Sequence, residues 1–90
     1  MEINITSRNF KISPELSEII RNKLSNLIKY DNKISRVDVV LLKESRAEKM
    51  EAKVTSKKNI YLVKCYTSVF EKTLSKLYKN LIIQIQKKKK

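Results

Sequence analysis

The sequence has no glycine, no histidine and no tryptophan, and it carries one proline and one cysteine. Without glycine, every phosphate-cradling loop that needs a Cβ-free backbone is excluded. Any residue in the left-handed region must then be an asparagine or a strained substitute, and Asn59 is the expected one. Without histidine, the commonest general base and metal ligand is missing. The lone Cys65 has no partner for a disulfide or a zinc site, so no oxidising compartment is implied. The carboxylates Glu15, Glu18, Glu44, Glu48 and Glu51 are scattered among lysines, which account for them as surface pairs. Asp38, flanked by Val37 and Val39, reads as an exposed-face strand residue beside a basic neighbour. These absences argue against an enzyme and against a bound cofactor or metal. No apolar run approaches the roughly 20 residues of a membrane span. The opening Met1-Glu2-Ile3-Asn4-Ile5 is unlike a signal peptide, so a cytoplasmic location is expected.

What the chain has in excess is positive charge. Its 90 residues hold 21 Lys plus Arg against 9 Asp plus Glu, a formal net charge of +12. Such a chain repels itself, a cost most readily met by a polyanionic partner. A genome rich in A and T also raises lysine, which explains lysine over arginine better than it explains lysine over glutamate. The 41% hydrophobic fraction suffices for one core in a chain this short.

The periodicities place six elements. Ile3 and Ile5 alternate with Glu2, Asn4 and Thr6 as a half-buried strand. Ser13-Pro14-Glu15 then combines an N-cap, a proline suited to the first helical position and an acid for the positive end of the helix dipole. Leu16, Ile20, Leu24 and Leu27, widened by Ile19 and Ile28, make a helical stripe to about Lys29. Three β-rich segments follow at residues 34–43, 48–55 and 59–67, joined by connections short enough for hairpins. Ser68 and Glu71 have capping-box spacing. Phe70, Leu74, Leu77, Leu81 and Ile85 mark the core side of a second helix. The expected fold is α+β, in the order β-α-β-β-β-α, with a four-stranded sheet and both helices packed on one face. Residues 1–86 make one domain, followed by a basic tail at residues 87–90.

Within this frame Lys72, Lys76 and Lys79 step by four and three along one face of the second helix, and Lys87, Lys88, Lys89 and Lys90 close the chain. A row of charges at that pitch can follow a phosphate backbone, or it can equally serve as a solvated face that keeps the helix soluble. Lys23 and Lys29 on the first helix would extend it, since both helices share a layer and their outer faces would form one basic surface. Tyr61, Tyr66 and Phe70 suit the core better than base stacking. Tyr78, Ile82 and Ile83 form an apolar strip beside the lysines, which leaves a membrane-surface or protein-interaction module as a rival from another class.

The residues also match a family. Ile3 through Phe10, then Ile12-Ser13-Pro14-Glu15-Leu16, then Lys23-Leu24-Ser25-Asn26-Leu27, closely resemble the ribosome hibernation-promoting factors, a family that includes the ribosome-associated inhibitor of cold shock and stationary phase. Ile34-Ser35 leading into Val39-Val40-Leu41, Met50 to Val54, and Leu77, Leu81 and Gln84-Ile85 before the lysines continue the likeness over essentially the whole chain. The sequence departs from the family at Ser7, usually glycine, and at Val69-Phe70-Glu71, where an acid-x-tyrosine is usual. Asn26, Asn80 and Ile83 stand at typically basic positions. The resemblance therefore implies RNA contact at Arg8, Lys23, Lys29 and Lys87. It implies a short-form stress-response factor, monomeric off the ribosome, which binds the small subunit and its 16S rRNA in the mRNA and tRNA channel and silences translation by exclusion. The alternative is a general double-stranded RNA or DNA binder with no preference for ribosomes.

Overall fold

The computed structural model describes residues 1–88. Strand β1 (Glu2–Arg8) is followed by helix α1 (Pro14–Ser25), whose last turn tightens into a 3-10 turn at Asn26–Lys29. Strands β2 (Ile34–Lys43), β3 (Glu48–Ser56) and β4 (Ile60–Thr67) then lead into helix α2 (Phe70–Lys88). The strands form one sheet in the order β1-β2-β3-β4. β1 and β2 are parallel, as a strand-helix-strand crossover requires, while β2–β3 and β3–β4 are antiparallel hairpins.

Register puts the apolar residues on one side. Ile3, Ile5 and Ser7 stand beside Val37, Val39 and Leu41, which stand beside Val54, Ala52 and Met50, then Tyr61, Val63 and Cys65. Both helices cover this face. Ile20, Leu24 and Leu27 come from the first, and Phe70, Leu74, Leu77, Leu81 and Ile85 from the second, so all join a single core. The opposite face is uncovered, with Val40 and Leu42 half-buried and Leu62 and Tyr66 exposed. Each sheet edge receives a helical side chain. Arg21 donates to the Ile3 carbonyl at 2.7 Å, and Gln84 to the Leu62 carbonyl at 2.9 Å. Unpaired edge groups that would template association are thereby reduced.

The start of α1 follows its sequence signal: the Ser13 hydroxyl accepts the Leu16 N–H at 3.1 Å, with Pro14 in the first turn. The start of α2 does not. The Val69 carbonyl accepts the first helical bond, from Thr73 N–H, which leaves Ser68 one place too early to cap. The cap comes instead from β3, where the Glu48 carboxylate accepts the Phe70 N–H at 2.7 Å. Buried Thr73 donates to the Glu48 carbonyl at 2.8 Å, and Phe70 stacks on Phe10 with ring centroids 5.1 Å apart. The start of α2 is therefore pinned by distant residues, which a local pattern cannot reveal.

Three further expectations are corrected. Ile19 and Ile28 are exposed rather than part of the core stripe, because the buried face of α1 is the narrower one of Ile20 and Leu24. Tyr66 is 66% exposed on the open sheet face, whereas Tyr61 and Phe70 are buried as expected. Asn59 is not left-handed; among the described residues the positive φ belongs to Asn9, at 70°. Both hairpins close across two residues, through Glu44 N–H to Ala47 and Ser56 N–H to Asn59, with no positive φ at the turn. Asn9 instead turns the chain out of β1.

Asn9→Val should lower unfolding free energy by about 1–2 kcal/mol, since a β-branched residue resists the left-handed region. Asn9→Gly should leave stability near the wild type. Urea denaturation that found the two variants equally stable would contradict the backbone assignment.

Candidate nucleic-acid interface

Where the carboxylates go decides which cations are free. Among the described residues every ion pair lies on the sheet or its hairpins. Lys49 meets Glu44 at 2.6 Å, Arg36 meets Asp38 at 3.0 Å, Lys43 meets Glu48 at 3.7 Å and Lys64 meets Glu51 at 3.9 Å. Asp38 is the exposed-face residue expected. Partial burial alone would raise its pKa, but hydrogen bonds from Asn4 and Arg36, with the charges of Arg36 and Lys53, hold it below the usual carboxylate range. The Lys49 ammonium is held above its ordinary value chiefly by the hydrogen bond to Glu44. No lysine of either helix takes part in these pairs.

Helix α2 shows the consequence. It carries Lys72, Lys76, Lys79, Lys87 and Lys88 against the single acid Glu71, and all five lysines are exposed. Lys72, Lys76 and Lys79 lie opposite Leu74, Leu77 and Leu81, as their spacing requires. From Lys72 to Lys79 the row covers about 10 Å at 1.5 Å per residue; Lys87 returns near that face two turns later, while Lys88 falls on the side of Leu74, Leu77 and Leu81. Lys87 and Lys88 continue the helix instead of starting a separate tail. Lys89 and Lys90 lie outside the described residues.

Helix α1 behaves differently. Its outward positions are Glu15, Glu18 and Asn22, so the outer faces of the two helices do not form one continuous basic surface. Lys23 instead turns toward α2, with Nζ 5.0 Å from the centroid of the Tyr78 ring. A cation over an aromatic face at an exposed site contributes about 0.5–1 kcal/mol. Burial, then the neighbouring Tyr30, pushes the Tyr78 phenol up. Lys23, Tyr78 and Tyr30 thus join the helices, and positive charge crosses at this seam. Tyr78 and Ile82 pack against the core, which leaves Ile83 as the exposed member of the apolar strip.

Beyond the seam the cations converge at one end. Lys29 lies in the 3-10 turn and Lys33 just before β2. Ile34 pairs with Ser56, so the exposed Lys57 and Lys58 of the β3–β4 hairpin share this end. Gln84 bonds Leu62 near the start of β4, which carries Lys87 and Lys88 toward the same place. Sequence reasoning missed Lys33, Lys57 and Lys58, although a doubly basic hairpin tip was a usable signal. Arg8 is not part of this group. It stands beside Leu42 on the open face, at the other end of the sheet.

The comparisons with known proteins agree with this fold. Residues 3–90 match the profile of the sigma 54 modulation protein / S30EA ribosomal protein family. Among solved structures, a ribosomal subunit interface protein from Coxiella burnetii superposes with a TM-score of 0.93 at 24% identity, covering 99% of this chain and 98% of that one. The N-terminal domain of Protein Y from Thermus thermophilus gives a TM-score of 0.88 at 19% identity, covering 97% and 98%. At these identities the superpositions establish the shared fold. A search of curated protein sequences returns no match.

If the α2 row neutralises phosphates, replacing Lys76 and Lys79 by glutamine should reduce the slope of log affinity for structured RNA against log salt by about 1 per lysine. Lys53→Gln and Lys64→Gln on the sheet should leave that slope unchanged. Equal losses from both pairs in a filter-binding titration would contradict a helix-borne interface.

Proposed function

The chain belongs to the sigma 54 modulation protein / S30EA ribosomal protein family, and from that premise we propose that it is a ribosome hibernation factor. It binds the small ribosomal subunit through 16S rRNA, in the channel that messenger and transfer RNAs would otherwise occupy. Occupancy alone stops translation, with no bond made or broken.

The observation that carries this reading is the separation of charge. Four cations of the sheet are paired with acids, while among the described residues no ion pair is found at the five exposed lysines of α2. A rigid row of this kind suits folded RNA, whose phosphates are fixed and whose helices are recognised more by shape than by base sequence. Lys72, Lys76, Lys79 and Lys87 form the principal contact, and Lys88 adds charge at the end of the helix. Lys23 and Lys29 extend it across the seam, and Lys89 and Lys90 add charge beyond the described helix. Arg8, on the other face, contacts RNA only if the site encloses the end of the sheet. Such a factor works in the cytoplasm as a monomer until it meets a ribosome.

The alternative, a general binder of double-stranded RNA or DNA, uses the same lysines. It differs in that bulk RNA would compete as well as ribosomes do. The membrane-surface alternative is weakened by the packing of half-buried Tyr78 and Ile82 against the core.

Lys23→Glu combined with Lys29→Glu should abolish co-sedimentation with ribosomes on sucrose gradients while circular dichroism stays native. Saturating wild-type protein should also prevent initiator tRNA from binding isolated small subunits. A chain that co-sediments while tRNA binds normally would refute the channel location.

A further inference from the structure

We propose that the cleft between the loop before β2 and the β3–β4 hairpin is a phosphate site that takes one phosphate-bearing group without the lysines of α2, sharing only Lys29 with the proposed RNA contact. The cleft is open to solvent on one side and offers about 480 Å³. Lys29, Lys33 and Lys58 line it together with the amides of Asn32 and Asn59. None of the three lysines takes part in an ion pair found among the described residues.

The fold builds this cleft deliberately. The pairing of β2 with β3 shifts register between Ile34 and Arg36, which leaves Ser35 as a bulge with its hydroxyl on the Thr55 carbonyl at 3.3 Å. A bulge re-aims the strand end. Lys57 N–H then bonds the Lys33 carbonyl at 3.2 Å, tying the loop to the hairpin and holding lysines of both segments around one space. Asp31, the acid of the cleft, already accepts bonds from within the protein. Lys33 N–H reaches one oxygen at 3.0 Å and the Tyr61 hydroxyl reaches the other at 3.1 Å. Its carboxylate shapes the wall, while the ammonium groups and side-chain amides supply donors to a ligand. Three cations against the carboxylate of Asp31 leave the cleft with an excess of positive charge, which a phosphate group neutralises.

Phosphate of this kind has two sources, a backbone or terminal phosphate of RNA and a free nucleotide or polyphosphate. The chemistry of recognition is the same for both. The inference does not depend on ribosome binding, since the site is defined by the cleft alone.

The test is an amide-resolved NMR titration with inorganic pyrophosphate and, separately, with a short unstructured RNA oligonucleotide. Pyrophosphate should shift the amides of Asn32, Lys33, Lys58 and Asn59 first and saturably. Lys33→Gln with Lys58→Gln should weaken that response roughly tenfold or more, while Lys76→Gln with Lys79→Gln should leave it intact; dispersed spectra report that both variants fold. Saturable shifts with the oligonucleotide alone would support the site with RNA as its source. Absence of cleft shifts with either ligand, or shifts spread evenly over all surface lysines, would overturn it. Ribosome co-sedimentation of the Lys33 and Lys58 variant is scored separately, so failure of one reading is distinguishable from failure of the other.

Discussion

Nine carboxylates cannot neutralise twenty-one cations, and the positions of those nine determine what the surplus can do. Four of them pair with lysine or arginine on the sheet and its hairpins. Each such surface pair contributes little to stability, on the order of 0–1 kcal/mol. Their larger effect is on the field around the molecule. Charge is partly cancelled on the sheet, whereas among the described residues no ion pair is found along α2, and cations outnumber the acid Asp31 at the end where Lys29, Lys33, Lys57 and Lys58 meet. Clustered charge of one sign raises both the attraction to a polyanion and the rate of encounter with it.

That distribution requires a rigid frame, because charges on a mobile helix would lose their spacing. Leu74, Leu77, Leu81 and Ile85 fix α2 along its length. Glu48, Thr73 and Phe10 fix its beginning, and Gln84 fixes its later turns to the sheet edge. Side chains that hold the helix are thus drawn from the first connection, from β3 and from α2 itself. No buried side-chain nitrogen or oxygen among the described residues lacks a partner, so the frame is built without polar strain.

The elements and their order were legible because alternation and helical spacing are strong in this chain. Val37, Val39 and Leu41 announce β2, Met50, Ala52 and Val54 announce β3, and Leu74 through Ile85 announce α2. What stayed hidden depended on contacts remote in sequence. The Ser68–Glu71 spacing suggested a cap, but Glu48 reaches the helix from another strand. Asn59 looked like the turn residue, although the left-handed backbone is at Asn9. The lysine row on α2 was legible from spacing alone. The acidic outer side of α1 was visible in Glu15 and Glu18, yet the direction of Lys23 follows from Tyr78, which only packing brings near. The cleft was illegible, since it needs the bulge at Ser35 to bring two loops together.

The central claim is that the helix layer and the end it leads to, not the open sheet, face ribosomal RNA. Lysine acylation of free and ribosome-bound protein, read residue by residue by mass spectrometry, tests it most directly. Lys72, Lys76, Lys79 and Lys29 should become protected on the ribosome, while Lys53 and Lys64 keep their reactivity. Protection of Lys53 and Lys64 with the α2 lysines still reactive would contradict the account.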